Sequence, residues 1–211
     1  MNKFLSIISK PIVVTFLVLL ADQWLKIWVK TNMVFSKEAG IPIIGDWFFL
    51  HFIENPGMAF GWQIPFLSPE TAKIILSLFR IVAITGIGYY LFKVLPKNAH
   101  KGLKVSVALI FAGAIGNILD SAFYGVIFNE SYSQIASFMP DEGGYAPFLQ
   151  GKVVDMLYFR AYWPEWVPSI GGGEVFPPVF NIADMSISFG IGIVFLFNKK
   201  FFPKEKEDLT T

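Results

Sequence analysis

Four apolar segments alternate with polar stretches along the 211-residue chain, and this pattern is the first evidence for its fold. The apolar segments are residues 11–29, 71–95, 103–128 and 181–197. A bilayer core asks for a helix of about 20 apolar residues. Charged residues interrupt every one of the four, so each segment taken singly is also compatible with a buried helix of a soluble protein.

The distribution of charge decides between these alternatives. Lysines precede the first segment, separate the second from the third and follow the fourth, whereas the connections 30–70 and 129–180 carry mostly acidic residues. Positive charge gathers on the cytoplasmic side of membrane proteins. The pattern therefore predicts an α-helical integral membrane protein with four transmembrane helices, both termini in the cytoplasm and a cytoplasmic tail at 198–211.

Composition agrees with this class and excludes several functions. The chain is 54% hydrophobic and 16% charged, with 23 phenylalanines and a mean hydropathy of +0.55, which predicts a single membrane domain over residues 1–211. The absence of cysteine excludes disulfides, iron–sulfur clusters and thiol chemistry. The two histidines, His51 and His100, form no zinc-binding motif, and no basic run indicates nucleic acid.

Two local patterns predict a small sheet and a close contact between helices. Residues 47–53 are mostly aromatic or β-branched and lie between turn formers, which predicts short strands of a small extracytoplasmic sheet. In the third apolar segment Ala108, Ala112 and Gly116 recur every fourth residue, which predicts a close helix contact.

Ionisable residues interrupt the apolar segments at one depth. In the predicted topology Asp22, Lys26, Arg80, Asp120 and Asp184 all lie in the outer third of the bilayer. Such residues are costly in a membrane, and a function is the default interpretation. The alternative is a layer of ion pairs that holds the helices in register. Asp22 and Lys26 fit this alternative, because an acid four residues before a base is the favourable order in a helix.

Asp155 and Asp184 are the candidates for chemistry. Asp155 lies in an apolar stretch, and two amides, Asn117 and Asn181, lie one turn before Asp120 and Asp184, where each can orient its neighbour. Asn181 is alternatively a helix N-cap. Two close carboxylates at low dielectric share one proton and so supply an acid and a base together. Ser186 and Ser188 have no histidine at comparable depth, and the chain has no Gly-x-Ser-x-Gly motif. Aspartyl hydrolysis of a membrane-embedded peptide is therefore the favoured reaction.

Five sequence blocks then connect the chain to a family. It resembles the bacterial lipoprotein signal peptidases, also called signal peptidase II, over nearly its whole length. The blocks are Asp-Gln-Trp-Leu-Lys at 22–26, Asn-Pro-Gly-Met-Ala-Phe at 55–60, Gly-Asn-Ile-Leu-Asp at 116–120, Val-Val-Asp at 153–155 and Phe-Asn-Ile-Ala-Asp at 180–184.

The resemblance implies a substrate and a set of site residues. The substrate would be a prolipoprotein signal peptide with diacylglyceryl on its cysteine, cleaved just before that cysteine at the outer face of the bacterial inner membrane. Asp155 and Asp184 would be the catalytic dyad, with no metal or cofactor, in a globomycin-sensitive enzyme that we expect to be monomeric. Residues implied or expected to line or support the site are Asn55, Gly57, Asn117, Asp120, Asn181, Asp22 and Lys26.

Two departures from the family pattern and one rival function stay open at this stage. Ser121 stands where the family usually has arginine, and Arg160 is our hypothesis for a substitute. Residues 128–151 look like an insertion that extends a clamp over the substrate or contacts another envelope component.

The rival function is that of a transporter or channel subunit that uses Asp120, Asp155 and Asp184 as a proton or ion relay. It predicts polar residues through the bilayer, which the inner parts of the apolar segments scarcely contain.

Overall fold

The computed structural model describes residues 10–56, 67–175 and 178–203, and this part of the chain is mostly helical with one small sheet. The helices are α1 (Pro11–Asn32), α2 (Pro69–Tyr89, continued by a π-helical turn Tyr90–Val94), α3 (Lys101–Leu119, continued by a π-helical turn Asp120–Tyr124 and a last turn Gly125–Ile127), α4 (Ile182–Leu196) and α5 (Asn198–Phe201). The strands are β1 (Ser36–Ile44), β2 (Phe48–Asn55) and β3 (Val153–Phe159).

In the described part of the chain, three helices are long and apolar enough to cross a membrane: Pro11–Asn32, Pro69–Val94 and Lys101–Ile127, each with a mean hydropathy of 1.8. The fourth predicted span corresponds to α4, an apolar helix of 15 residues. Large apolar side chains point away from the protein, including Phe79 and Val82 on α2, which are 68% and 71% exposed. Soluble proteins rarely expose so much apolar surface, whereas helices in lipid do.

Small residues let α3 pack closely against α1 and α4. Ala108 and Ala112 are fully buried, and a methyl group added to Gly116 would lie 2.7 Å from a carboxylate oxygen of Asp22 and 3.0 Å from the Cβ of Ala183. The predicted close helix contact is therefore confirmed. It brings the C-terminal part of α3 next to the first turn of α4.

The sheet is antiparallel, in the order β1-β2-β3. Its second strand, β2, confirms the strand prediction for residues 47–53. In the register of the second pair Ile53 lies opposite Asp155, and Asn55 lies opposite Val153. Because side chains two residues apart share a face of the sheet, Asn55 and Asp155 are diagonal neighbours.

The segment 128–151, predicted as an insertion and called the insertion below, follows the C-terminal end of α3. Its backbone N–H groups at Ala146 and Gly151 donate to the carbonyls of Gly125 and Ser121, at 2.9 and 2.8 Å. The π-helical turn and the helix end leave such carbonyls without the regular partner four residues on. The insertion thus satisfies the end of α3 with its own backbone.

A buried ion pair ties the insertion to α1 and β2. Lys30 pairs with Glu54 and donates to the Ser131 hydroxyl at 2.7 Å, while Lys152 lies 3.1 Å from the other Glu54 oxygen. Burial acts to raise the pKa of Glu54, but the two lysines outweigh it and hold that pKa below its ordinary value. This cluster fixes the end of β2, where Asn55 follows Glu54.

Candidate active site

Asp155 and Asp184 meet across the side chain of Asn181. Asp155 lies on β3, and the backbone N–H groups of Met156 and Leu157 donate to the Phe180 carbonyl at 3.1 and 2.7 Å, which holds the strand beside the start of α4. The Asn181 amide nitrogen donates to Asp155 Oδ1 at 2.7 Å, and its oxygen accepts from the Asp184 backbone N–H at 2.8 Å. Asn181 is therefore the N-cap of α4, as one sequence interpretation proposed. Its amide nitrogen orients Asp155, whereas the other interpretation expected it to orient Asp184.

Two further amides complete the hydrogen bonding of the carboxylates. Asn117 on α3 donates to Asp184 Oδ1 at 2.8 Å, and Asn55 on β2 donates to Asp155 Oδ2 at 3.1 Å. The Asn117 oxygen accepts from Asn181 and from Lys26, each at 3.1 Å. Asn117 thus orients Asp184 on another helix rather than Asp120 one turn ahead of it.

Asp22, Lys26 and Asp120 form a fully buried triad beneath this pair. Lys26 Nζ lies 2.9 Å from a carboxylate oxygen of each aspartate, and all three side chains have no exposed area. The expected Asp22–Lys26 pair is confirmed, and Asp120 joins it as a third member. Lys26 also donates to Asn117, so the triad and the two candidate carboxylates belong to one network.

The triad also positions the backbone next to each candidate carboxylate. Asp22 Oδ1 accepts from the backbone N–H of Ala183 at 2.8 Å, and Asp120 Oδ2 accepts from that of Val154 at 3.2 Å. These two N–H groups immediately precede Asp184 and Asp155 in the chain. The structural carboxylates therefore fix where the candidate carboxylates stand.

Sequence reasoning missed two members of the network. Gln23 donates to Asp22 at 3.1 Å and to Asp120 at 2.9 Å, and the Tyr124 hydroxyl donates to the Gln23 oxygen at 3.2 Å. Gln23 lies inside the first sequence block that carries the family resemblance, and that position could have indicated a role in the site. Tyr124 is one aromatic residue among many, and nothing local singles it out.

The electrostatics of Asp155 suit acid–base chemistry. Burial, and after it the negative charge of Asp184, raises the pKa of Asp155 to about 7, while the bonds from Asn55 and Asn181 and the charge of Lys26 act against this rise. The Asp155 carboxyl therefore keeps its proton to a much higher pH than an ordinary aspartate does. A pair in this condition holds one proton between two acids and supplies a donor and an acceptor together.

The structure does not bring Arg160 to this pair. Its guanidinium lies 4.1 Å from the centre of the Phe49 ring. Five residues along a strand separate Cα atoms by roughly 16 Å, at about 3.3 Å per residue, so β3 carries Arg160 away from Asp155. The arginine that does approach the network is Arg80 on α2, which donates to the Ser121 hydroxyl at 3.3 Å.

Below the network, the contact between α3 and α4 is apolar or internally satisfied. The hydroxyls of Ser106 and Ser186 donate to the backbone carbonyls of Gly102 and Leu109, at 2.8 and 2.6 Å.

Gly57 belongs to a segment outside the described residues. Within residues 10–56, 67–175 and 178–203, no group of three or more histidine or acidic side chains is arranged to hold a metal ion.

Comparison with known proteins places this geometry in a family. A family model described as "Signal peptidase (SPase) II" matches residues 14–199. A lipoprotein signal peptidase of Porphyromonas gingivalis is 46% identical over 200 residues, which cover 90% of this chain and 84% of that protein. One from Amoebophilus asiaticus is 36% identical over 189 residues, covering 87% and 75%. A bacterial membrane enzyme solved by the in meso method at 1.9 Å shares the fold, with a TM-score of 0.58, 23% identity and coverage of 90% and 92%.

Proposed function

Because this chain belongs to the lipoprotein signal peptidases, aspartyl peptidases that remove signal peptides from prolipoproteins, we propose that Asp155 and Asp184 are its catalytic dyad. The observation that carries this proposal is the shared Asn181 amide, which binds Asp155 and the backbone of Asp184 at once. The raised pKa of Asp155 supports it, since one proton then remains on the pair at neutral pH.

The reaction is a hydrolysis in which the two carboxylates exchange roles. The ionised carboxylate takes a proton from a water molecule, whose oxygen bonds to the scissile carbonyl carbon. The protonated carboxyl donates to the developing oxyanion, and the carbon–nitrogen bond breaks as a proton reaches the leaving amine. The shared proton belongs to the coupled pair, so neither aspartate is assigned it alone.

The proposed cleavage position is the one that the family resemblance implies, and the depth of the pair agrees with it. The leaving amine is that of the diacylglyceryl-modified cysteine, so cleavage falls just before that residue. The two acyl chains then stay in the outer leaflet while the peptide bond reaches carboxylates near the outer ends of the helices. A site at this depth suits a substrate anchored in the same membrane.

The topology that serves this reaction has four spans in one domain, with both termini in the cytoplasm. Helix α4 starts at the dyad, in the outer third of the bilayer, so it has only about 20 Å of the roughly 30 Å core left to cross. Its 15 residues extend about 22 Å at about 1.5 Å per residue. Lys199 and Lys200 follow directly, on the inner side of the proposed bacterial inner membrane. We expect the enzyme to act as a monomer.

The relay function fits the packing less well. A proton or ion path needs polar groups across the bilayer, whereas Ser106 and Ser186, which lie below the network, use their hydroxyls on backbone carbonyls. The network therefore has the form of a site reached from one surface.

The test is cleavage of a diacylglyceryl-modified prolipoprotein by purified protein, followed as a shift on a gel. Asp155→Asn and Asp184→Asn should each lower the rate by at least about a hundredfold, the lower end for losing an acid or base. Asp141→Asn, at an exposed position in the insertion, is the matched control and should cleave like wild type. Cleavage at the wild-type rate by either dyad variant would contradict the proposal. Cleavage before any residue other than the modified cysteine would also contradict it.

A further inference from the structure

Arg80 is a cation within a membrane-spanning helix that the reaction above does not use. It is partly buried in the middle of α2, and its Nη1 donates to the Ser121 hydroxyl at 3.3 Å. That hydroxyl in turn donates to the Asn117 carbonyl at 3.1 Å. The guanidinium is therefore fixed to the turn of α3 that holds Asn117, the residue that orients Asp184.

Carboxylates from three other elements attract the Arg80 guanidinium. Asp184 on α4 attracts the guanidinium most, followed by Asp120 on α3 and Asp155 on β3. Desolvated arginine is costly in a membrane unless such groups compensate it. Arg80 thus faces both members of the proposed dyad across the contact between α2 and α3.

The charge balance of the network explains what this cation does. Four carboxylates that hold one shared proton, together with Lys26, carry a net charge of minus two. Lys26 is already enclosed between Asp22 and Asp120. A surplus of negative charge at low dielectric drives the pair to take up a second proton. With Arg80 present the net charge is minus one.

We propose that Arg80 is a positioning residue of the dyad, whose guanidinium, held by Ser121, keeps one carboxylate of the Asp155 and Asp184 pair ionised at neutral pH. This inference rests on the proposed function, because it concerns the base of that dyad. The Arg80 guanidinium is placed at Ser121 from the neighbouring helix α2, and Arg160 has no part in it.

The same helix supplies a control cation. Lys73 lies two turns before Arg80 on the same side of α2, and its charged neighbours are Lys152 and Glu54 as well as Arg80 itself. The lysine thus belongs to the cluster around Glu54. The charged groups around the dyad are Asp184, Lys26 and Arg80 for Asp155, and Asp155 and Arg80 for Asp184. Those around Asp120 are Lys26, Asp22 and Arg80.

The experiment measures cleavage of the diacylglyceryl-modified prolipoprotein from pH 5 to pH 9. In Arg80→Gln the rising limb of kcat should move up by at least about one pH unit, so that kcat on the acid side of that limb falls about tenfold or more. KM should change by less than about threefold, because binding is not the step affected. Arg80→Lys keeps the charge and should keep the limb, and Lys73→Gln should match wild type throughout.

An exchange variant tests the position of the charge. Arg80→Ser combined with Ser121→Arg keeps the composition and moves the guanidinium from α2 to α3 across the same contact. The double variant should move the rising limb of kcat at least halfway back to its wild-type pH. Arg80→Ser alone should shift that limb as Arg80→Gln does.

The inference is overturned if the rising limb of kcat in Arg80→Gln lies at its wild-type pH, or if that limb moves in Arg80→Lys. If Arg80→Gln does not fold, the Arg80→Lys and exchange profiles decide. The proposed function fails separately, if Asp155→Asn or Asp184→Asn remains active.

Discussion

Replacing Asp155 by asparagine is expected to stabilise the protein at pH 8 while removing its activity. The carboxyl is buried near Asp184, and both effects raise its pKa to about 7. An acid whose pKa rises on folding binds more protons in the folded state than in the unfolded one between its two pKa values. Its stability contribution is therefore complete below about pH 4, the ordinary pKa, and is lost as pH rises to about 7.

The size of the effect follows from the same pKa. A rise from 3.8 to about 7 corresponds to about 4 kcal/mol of unfolding free energy lost above pH 7, at about 1.4 kcal/mol for each unit. Asparagine avoids this loss, but its amide group turns one donor towards either Asn55 or Asn181, which costs about 1–2 kcal/mol. The net gain at pH 8 is about 2–3 kcal/mol, or roughly 4–12 °C in melting temperature.

The assay is thermal unfolding in detergent, followed by tryptophan fluorescence at pH 8 and pH 4. At pH 8 Asp155→Asn should melt above wild type, and at pH 4 the order should reverse, because only the cost of the misplaced donor remains. The control Asp141→Asn is exposed and should leave both melting temperatures within about 2 °C, as surface changes do. A variant that melts below wild type at both pH values would refute the electrostatic argument for a shared proton.

Two further predictions concern the support of the site. Lys26→Met leaves Asp22 and Asp120 buried without their cation, which should lower the unfolding free energy by about 3–5 kcal/mol; adding Asp22→Asn and Asp120→Asn should restore part of the melting temperature, and no recovery at all would contradict the buried triad. In Gly116→Ala the new methyl group would lie 2.7 Å from the Asp22 carboxylate, so we expect a loss of about 1–3 kcal/mol and reduced cleavage. Gly86→Ala, with no atom within 4 Å of its added methyl group, is the matched control and should be as stable as wild type or more so. Equal melting temperatures for the two alanine variants would argue against the close contact.

Local sequence patterns predicted which helices and strands form and which residues belong to the candidate site. They predicted less well which of these residues contact each other. The order of Asp22 and Lys26 on one helix face is visible in the sequence, and that ion pair is present. Its extension to Asp120 depends on the contact between α1 and α3, which no spacing within one helix encodes. The same holds for Asn117, whose predicted partner was one turn away and whose partner in the structure is Asp184 on α4.

Distance along the chain misled the search for a second cation. Arg160 is five residues from Asp155, and this proximity suggested a common site. An extended strand separates residues at about twice the rise of a helix, so β3 puts Arg160 over Phe49. Arg80 is far from both carboxylates in sequence, but helix packing directs its guanidinium towards them. Its position inside an apolar segment was the signal, and only the fold supplies its partner.

The ion-pair layer and the candidate catalytic pair are parts of one structure. Asp22 and Asp120 each accept a backbone N–H from the residue before a member of the pair, and Lys26 joins the two acceptors. A shift in this triad would move β3 against the first turn of α4 without altering either candidate carboxylate. Since a misplacement of about 1 Å can cost about a hundredfold in rate, the buried triad governs the geometry of the reaction although it need not touch the substrate. The ion-pair layer that the sequence offered as one alternative is therefore present, and the same residues support the proposed dyad.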